Sequence, residues 1–458
     1  MSSFNEYYHA GAKGHLVGIG GVSMSPLAEV LRGAGLVVTG SDMNEGDNVR
    51  HLRELGIPVY IGHRAENLAG DVEFLVRTAA VHEDNAEIAE ARRRGIPVFE
   101  RTQAWGAIMQ DYRNAICISG THGKTTTTSM CTHIMMAAEK DPTVMIGGTL
   151  PLLKAAHRVG AGDTIVMESC EYYNSFHAFH PTVAVVLNIE LDHADFFSGL
   201  EDVKDSFRKF ASLVPRDGLV VANADDKNTM DALKGLDREI LTFGVAEAAD
   251  VYAGSIQYHG CNTDFDLYYK GEFFTHVSLR VPGLHNVKNA LAAAAAAIAL
   301  HFPAAAVEKG LSGFHGAGRR FEHKGDYHGA EVYDDYAHHP GELKALFAAA
   351  RRLGYQRIIC AFQPHTYSRT HALFHEFAQV LREPDITLLA EIFAARETND
   401  IGISSRDLCR EIPGSRYFAT LPEVTACLRE LARPGDLILT VGAGDIYTVG
   451  EALVSEKD

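Results

Sequence analysis

The sequence predicts an α/β protein with mostly parallel sheets, organised in three units. Short apolar, β-branched runs alternate with helical stretches along nearly the whole chain, which is the pattern of parallel strands covered by helices. Two units begin afresh near His15 and Ala115, each with a strand, a glycine-containing turn and a helix. A third start is predicted after the glycine-containing segment 312–320. The predicted domains are 1–112, 113–312 and 313–458.

Within this pattern, two segments differ from simple strand–helix alternation. Residues 250–281 read as short antiparallel strands, which we place at an edge of the middle domain. Residues 105–115 carry the expected join between the first and second domains. The Ala-rich run 285–302 is predicted to be a packed helix, because it is too short and too rich in alanine to cross a membrane.

Composition excludes several classes of protein. The 458 residues are 46% hydrophobic, enough to bury more than one core, and the formal net charge of −17 opposes a nucleic-acid partner. Seven cysteines without a CxxC pair argue against a disulfide framework or a structural zinc. We find no signal peptide and no stretch of roughly 20 apolar residues. We therefore expect a cytoplasmic protein without membrane insertion.

The strongest local signal is the segment AICISGTHGKTTTT at 115–128, where a buried strand runs through a glycine-containing turn into a helix. Such a turn points backbone amides at an anion, the helix N-terminus is positive, and Lys124 can reach terminal phosphates. The general phosphate-loop pattern is not met, because Ile118 stands where its first glycine belongs. The alternative is a glycine turn with a solvated lysine. The residues predicted to bind ATP here are Gly120, Thr121, His122, Gly123, Lys124, Thr125 and Thr126.

Carboxylates follow two further strands of the same unit. Magnesium prefers oxygen ligands, and Glu168, at the end of DTIVME, is placed to supply one beside the hydroxyl of Thr125. The strand 183–187 runs into a polar cluster at the carboxyl end where ligands of α/β folds collect. Taken singly, Glu168 could be a solvated acid and His193 a hydrogen-bonded histidine, so only the group supports a metal site. The cluster comprises Asn188, Glu190, Asp192, His193 and Asp195.

The first glycine-containing turn allows a different interpretation. GIGGVS at 18–23 follows a strand, and Asp42 stands about 20 residues further on, as a dinucleotide site requires. Ser23 takes the place of the third glycine. A nicotinamide-dependent dehydrogenase is therefore an alternative, although it leaves the Lys124 loop and Glu168 unexplained.

Six motifs follow one another along the chain at 120–128, 188–193, 283–293, 319–322, 334–342 and 363–370. In this order they resemble the Mur ligases, the ATP-dependent amide-forming enzymes of cell-wall synthesis. The resemblance implies a Rossmann-like UDP-binding domain, a central P-loop-type ATPase domain and a C-terminal Rossmann-like domain that brings the amino acid. The segments 17–31, 40–42, 334–340 and 442–446 are most similar to the subgroup that joins L-alanine to UDP-N-acetylmuramic acid. The motifs that carry the resemblance are GTHGKTTTT (120–128), NIELDH (188–193), GLHNVKNALAA (283–293), RRFE (319–322), DDYAHHPGE (334–342) and QPHTYSRT (363–370).

The resemblance also implies a mechanism. ATP phosphorylates the muramyl carboxylate, and the amine of the amino acid then attacks the acyl phosphate, so that positioning and charge neutralisation dominate. Two Mg²⁺ ions are implied, the first on Thr125 and Glu168 and the second near His193. The implied catalytic residues are Lys124, Glu168, His193 and Arg320.

The remaining substrate contacts are implied in the same way. His285, Asn286 and Asn289 are expected at the adenine and ribose, and Asp335 at the ribose or the domain hinge. The UDP-sugar residues are expected to be Gly18, Gly20, Gly21, Asp42 and His63. The amino-acid residues are expected to be His339, His365 and Arg369, an arginine pairing with the free carboxylate.

Two departures from the family pattern bear on the amino acid. The usual E-A-D-E-S-D-x-S-F loop is ESCEYYNSF at 168–176, and Thr366 stands where the family usually carries an arginine. Arg369 is then the one guanidinium in that segment. Glycine or serine as substrate, a ligase that adds a whole tripeptide, and a non-catalytic UDP-sugar sensor remain as alternatives.

Overall fold

The computed structural model describes residues 3–78, 81–193 and 196–455, and within these ranges the chain forms three separate sheets of five, ten and six strands. Each sheet is built from one continuous stretch of sequence, so the predicted three-domain α/β fold is confirmed. The limits at 112/113 and 312/313 remain predictions. Within the described ranges, the helices are all too short or too polar to span a bilayer.

The N-terminal sheet is entirely parallel, with strand order β3-β2-β1-β4-β5. The expected join at 105–115 is shorter than predicted, because a helix continues to Met109 with Trp105 buried. Only residues 110–113 link it to the next strand. The strands are β1 (Lys13–Val17), β2 (Val37–Asp42), β3 (Val59–Ile61), β4 (Phe74–Arg77) and β5 (Val98–Glu100); the helices are α1 (Ser25–Gly33), α2 (Asp47–Glu54), α3 (Ala86–Arg93) and α4 (Arg101–Met109).

The central sheet has the order β15-β14-β13-β12-β11-β10-β6-β9-β7-β8 and is parallel except at its edges. The antiparallel strands predicted for 250–281 form one of these edges. The strands are β6 (Asn114–Ser119), β7 (Thr143–Leu150), β8 (Ala155–Arg158), β9 (Thr164–Glu168), β10 (Val183–Val186), β11 (Leu219–Asn223), β12 (Glu239–Gly244), β13 (Val251–His259), β14 (Asn262–Tyr269) and β15 (Glu272–Leu279). The helices are α5 (Lys124–Ala137), α6 (Leu200–Ser212), α7 (Lys227–Leu233), α8 (Leu284–Ala299) and α9 (Ala304–Ser312), with a 3-10 segment at Tyr172–Ala178.

The Ala-rich helix α8 lies in the middle of the central core, where its alanines 290 and 292–297 are fully buried. Small side chains let helices approach closely, and α8 and α9 both pack against α5 for this reason. A Cβ built on Gly310 of α9 would lie 2.5 Å from the Cα of Ile134 in α5. Helix α5, which begins at Lys124, is therefore fixed in position by close packing against α8 and α9.

The C-terminal sheet has the order β16-β17-β21-β18-β19-β20, parallel except for the first strand. Helices cover both faces around two apolar clusters. The strands are β16 (Glu322–Tyr327), β17 (Ala330–Asp335), β18 (Arg357–Phe362), β19 (Ile386–Ala390), β20 (Arg416–Phe418) and β21 (Asp436–Val441); the helices are α10 (Pro340–Arg351), α11 (Tyr367–Ala372), α12 (Phe374–Val380), α13 (Ser405–Glu411), α14 (Leu421–Leu431) and α15 (Tyr447–Val454).

Candidate functional site

The turn between β6 and α5 has the shape of an anion cradle. Gly120 and Gly123 have φ of 145° and 84°, a region that side chains rarely adopt, and a Cβ on Gly123 would lie 2.5 Å from Asn289 Oδ1. The neighbouring segment after β10 fixes the turn: the His122 amide donates to Asn188 Oδ1 at 2.7 Å, and the Asn188 side-chain amide donates to the His122 carbonyl at 3.0 Å. The His122 amide is used in this way, and the Thr121 amide donates to the Asn188 carbonyl at 3.0 Å, so the amides left to face an anion are those at the N-terminus of α5.

Lys124 is held in place by the carboxylate of Glu171, a residue without a predicted role. Its Nζ donates to the carbonyls of Gly120 and Thr121 and to both oxygens of Glu171, at 3.2 and 3.0 Å. Burial opposes the charge of Lys124, but Glu171 outweighs it and raises the pKa of the lysine above its usual range. Glu171 is itself buried, so the lysine is a fixed cation at the turn. In the sequence, Glu171 is the second glutamate of ESCEYYNSF, which this chain shares with the family loop.

Glu168 and Thr125 lie together as predicted. Thr125 Oγ1 donates to Glu168 Oε1 at 3.1 Å, and the Gly147 amide donates to Glu168 Oε2 at 2.6 Å. The pair arises because β6 and β9 are parallel neighbours, so that the carboxyl end of β9 lies beside the start of α5. Hydroxyl and carboxylate oxygens beside a phosphate cradle are suitable Mg²⁺ ligands.

His193 contacts this group only indirectly within the described residues. Its Nε2 lies 3.7 Å from Glu171 Oε1, and its ring stacks on Tyr172 with centroids 4.2 Å apart. Burial lowers the pKa of His193, which favours a neutral imidazole that can coordinate a metal. Asp195, the last member of the predicted polar cluster, lies outside the described residues.

A cavity of about 300 Å³, here called the inner cavity, opens between the central and C-terminal domains. Burial lowers the pKa of His285 to about 4, and it raises the pKa of Asp335 to about 6 against the pull of Arg320. Asp335 accepts hydrogen bonds from the amides of Phe321 and Ala337, at 2.8 Å each. The predicted residues that line the inner cavity are His122, Gly123, Thr126, His285, Asn286, Asn289, Arg320 and Asp335.

At the rim of the inner cavity, His122 links the central and C-terminal domains. Its Nε2 lies 3.3 Å from Glu190 and its Nδ1 3.3 Å from Glu342 of α10. Burial disfavours the charged ring, but the two carboxylates prevail and raise the pKa of His122 to about 9. His122, Glu190 and His339 also offer three ligand atoms within 4.8 Å of one another, a spacing compatible with a metal ion. At neutral pH, however, His122 is protonated, and a protonated imidazole cannot coordinate a metal ion.

His339 lies at the start of α10, next to His338, whose ring centroid is 5.9 Å from that of His365. His339 packs against His122, with ring centroids 4.6 Å apart, and lies 3.7 Å from Glu190. The cause is its role at the start of α10, where its ring accepts from the Gly341 amide at 3.2 Å. The expected role of His339 at the amino acid, together with His365 and Arg369, stays a prediction.

A second and larger space, the three-domain cleft, encloses about 1120 Å³ and is lined by all three domains. His365 and Arg369 lie on its C-terminal wall, 3.3 Å apart, and Arg369 makes a two-point ion pair with Asp192 at 3.0 and 3.3 Å. Arg369 holds the pKa of Asp192 far below its usual range despite burial. The central wall is formed by the ESCEYYNSF loop and His193.

The N-terminal turn is shaped by its own aspartate. Asp42 Oδ2 accepts from the Gly20 amide at 2.9 Å, and Asn48 donates to the Gly20 carbonyl at 2.8 Å. His63 Nδ1 lies 2.9 Å from the hydroxyl of Ser41, beside the buried Glu87. Asp42 therefore shapes the glycine turn, and the dehydrogenase alternative still gives no role to Lys124, Thr125 and Glu168. The turn with Gly18, Gly20 and Gly21 stays a predicted UDP site.

The described residues therefore form two groups around one turn. The inner cavity, the Lys124 turn and the Thr125–Glu168 pair lie together, and the C-terminal domain brings the His365–Arg369 pair to the three-domain cleft. The Gly18–Gly21 turn lies in the N-terminal domain and lines neither of these two spaces. Residues that sequence reasoning left without a role, although the structure places them in this site, are Glu171, Glu342, Lys288 and Asp225.

Three family models match the chain in the order of its sheets. They are described as the Mur ligase family catalytic domain at residues 13–113, the Mur ligase middle domain at 118–297 and the Mur ligase glutamate ligase domain at 319–444. Together they cover most of the chain.

Curated relatives and solved structures agree with these matches. A UDP-N-acetylmuramate–L-alanine ligase of Clostridium novyi is 43% identical over 99% of this chain and 100% of its own length. The enzyme of that name from Acetivibrio thermocellus is 43% identical over 99% of this chain and 97% of its own. The crystal structure of UDP-N-acetylmuramate-alanine ligase from Thermotoga maritima superposes with a TM-score of 0.79 at 29% identity, covering 97% of this chain and 98% of that one.

Proposed function

The chain belongs to the Mur ligase family, and we propose that it joins L-alanine to the carboxylate of UDP-N-acetylmuramic acid in an ATP-dependent reaction. The single observation that carries this proposal is the continuous path of contacts from the Lys124 turn, through Glu171, to the cleft where the three domains meet. That path joins a phosphate site to a space large enough for a sugar acid and an amine.

ATP fits the inner cavity and the Lys124 turn. The adenine enters beside His285, Asn286 and Asn289, and the triphosphate extends to the backbone amides of the turn. Lys124, fixed by Glu171, neutralises the terminal phosphates without the cost of ordering a free side chain. Arg320 adds a second positive charge on the C-terminal side of the cavity.

Magnesium fits the oxygen donors beside the turn. Thr125 and Glu168 would hold the first ion, because the hydrogen bond between them shows that both oxygens reach one point. His193 would hold the second ion on the side facing the cleft, with its pKa lowered by burial. When bound, these ions neutralise the charge of phosphoryl transfer to the carboxylate.

The amine meets the activated carboxylate in the three-domain cleft. The N-terminal domain holds the UDP-sugar at its glycine turn, and the C-terminal domain brings the amino acid along the wall with His365. Holding both partners in one geometry converts a bimolecular step into an intramolecular one, which supplies much of the rate. Since ATP and a sugar nucleotide are soluble metabolites, we place the reaction in the cytoplasm.

The test is phosphate release from ATP and Mg²⁺ with UDP-N-acetylmuramic acid, run in parallel with alanine, glycine, serine and the stem tripeptide. We expect release with alanine to exceed that with every other amine. Preference for another amine would reassign the amino acid, and the absence of release with all of them would refute a catalytic function. Release with alanine but without the sugar nucleotide would refute the acceptor.

A further inference from the structure

The segment 365–369 on the C-terminal wall of the three-domain cleft offers no free guanidinium to a substrate carboxylate. Thr366 occupies the position at which the family usually carries a guanidinium, and it lines the cleft. Arg369 is committed to Asp192 through two hydrogen bonds, and both side chains are nearly buried, 10% and 9% exposed. A substrate carboxylate would have to displace a buried ion pair to use Arg369, which is costly.

The loop that follows β19 brings another arginine to this place. Thr366 donates its backbone amide to the Phe393 carbonyl at 2.9 Å, and Ser368 donates to Glu397 from its amide at 2.9 Å and from its hydroxyl at 2.5 Å. Residues 393 and 397 are thus fastened to the segment 366–368. Arg396 lies between these fastenings and lines the cleft with an exposed side chain.

A second guanidinium lines the same cleft from the N-terminal domain. Arg101 is the first residue of α4, and it also lines the cleft. Burial lowers the pKa of Arg101, the neighbouring Cys170 and Glu100 oppose this, and the positive charge of Arg396 lowers it further, so the two guanidinium groups lie within electrostatic reach of each other. Like charges that share one space favour an anion between them.

The carboxylates that line the cleft do not form ion pairs with Arg101 or Arg396. Glu100 pairs with Arg77 at 2.8 Å, Glu397 accepts from Ser368, and Asp192 pairs with Arg369. Within residues 3–78, 81–193 and 196–455, neither Arg101 nor Arg396 makes an ion pair. Near Arg101 and Arg396, the cleft therefore carries more positive charge than its own carboxylates neutralise.

We propose that Arg396 binds the carboxylate of the incoming amino acid, in place of the guanidinium absent at residue 366, with Arg101 supporting it from the opposite wall. This inference rests on the proposed function, because it assigns the anion to an amino acid substrate. A guanidinium matches a carboxylate with two parallel hydrogen bonds, which orients the free amine as well as holding it.

The experiment compares alanine with alaninamide, which has the amine but no carboxylate, in Arg396→Ala and Arg396→Lys. Arg406→Ala is the matched control, an exposed arginine of the same domain that packs over Tyr417. We expect Arg396→Ala to raise KM for alanine about 10- to 100-fold and to leave KM for alaninamide and for the UDP-sugar unchanged. Arg396→Lys should fall between, since a lysine keeps the charge but loses the two-point geometry.

Three outcomes would overturn the assignment. An undiminished preference for alanine over alaninamide in Arg396→Ala would exclude Arg396, and a higher KM for the UDP-sugar alone would give the anion to the sugar nucleotide. Thr366→Arg in the Arg396→Ala background should recover part of the preference, and no recovery would show that the two positions do not serve one subsite. Failure of the proposed function is distinct, because the wild-type enzyme would then release no phosphate with alanine.

Discussion

The inner cavity encloses about 300 Å³ between two domains, whereas the three-domain cleft encloses about 1120 Å³ and is lined by all three. The polar groups of the first are largely fixed by their neighbours: Asn289 donates to Asn286, and Asp335 accepts two backbone amides. The second contains two guanidinium groups without a partner in the described chain. Preorganised donors suit a ligand common to a whole family, and unpaired charges suit the substrate that differs between members.

The largest effect is expected at Lys124. This residue follows Gly123, which lines the inner cavity, and it is linked to the cleft through Glu171 and His193. Lys124→Ala should lower turnover by about 100- to 1,000-fold or more, because it removes the fixed cation at the terminal phosphates. Binding of the UDP-sugar should be nearly unchanged, since its site lies in the N-terminal domain. The measurements are phosphate release and the thermal shift caused by the UDP-sugar, with the exposed Lys140→Ala as control.

Turnover of Lys124→Ala within tenfold of wild type would remove this lysine from the site. Because the variant leaves the buried Glu171 without its cation, Lys124→Ala/Glu171→Gln should be compared with it. An inactive double variant with wild-type stability would separate the loss of catalysis from the loss of folding.

A smaller effect is expected at the metal side of the inner site. A Cβ on Gly147 would lie 2.4 Å from Glu168 Oε1, so Gly147→Ala should push this carboxylate away and raise the Mg²⁺ concentration for half-maximal turnover about tenfold. Gly148→Ala is the matched control, since its Cβ would meet Thr125 Cγ2 at an ordinary 3.5 Å. Equal Mg²⁺ dependence in the two variants would show that Glu168 does not hold the ion.

The smallest effect concerns the ion pair at the rim. The pKa of His122 is raised from 6.5 to about 9, so its contribution to stability is fully present below pH 6.5 and is lost as the pH rises through about 9. Between about pH 7 and pH 10, the Tm of the wild type should fall roughly 1–3 °C further than that of His122→Asn. Differential scanning calorimetry measures both, and parallel pH profiles would contradict the charged histidine.

Sequence reasoning predicted the inner site far better than the cleft, for a physical reason. The inner site is built from contiguous motifs at the carboxyl ends of β6, β9 and β10, which parallel pairing brings to one edge of the sheet. The predicted residues of the turn and cavity therefore lie together. The shared edge followed from the strand pattern alone.

The cleft depends instead on how three domains face each other, which no local pattern contains. Arg101 and Arg396 are almost 300 positions apart, and each reads alone as a solvated arginine. The motif DDYAHHPGE likewise does not reveal that His339 caps α10 and packs against His122. Glu171 was visible in its motif, but only its contact with Lys124 gives it a role.

Helix α4 connects the glycine turn of the N-terminal domain with the loop that carries Glu171. Trp105 donates its indole N–H to the Ser23 carbonyl at 3.2 Å, and the next residue, Gly106, lies so close to the Ala178 carbonyl that a Cβ would be 1.9 Å from it. Because these two adjacent residues in the middle of α4 contact both loops, α4 cannot tilt without displacing at least one of them. The position of the N-terminal domain is therefore coupled to the loop that holds Lys124 through Glu171. No residue larger than glycine fits at position 106 without moving this loop.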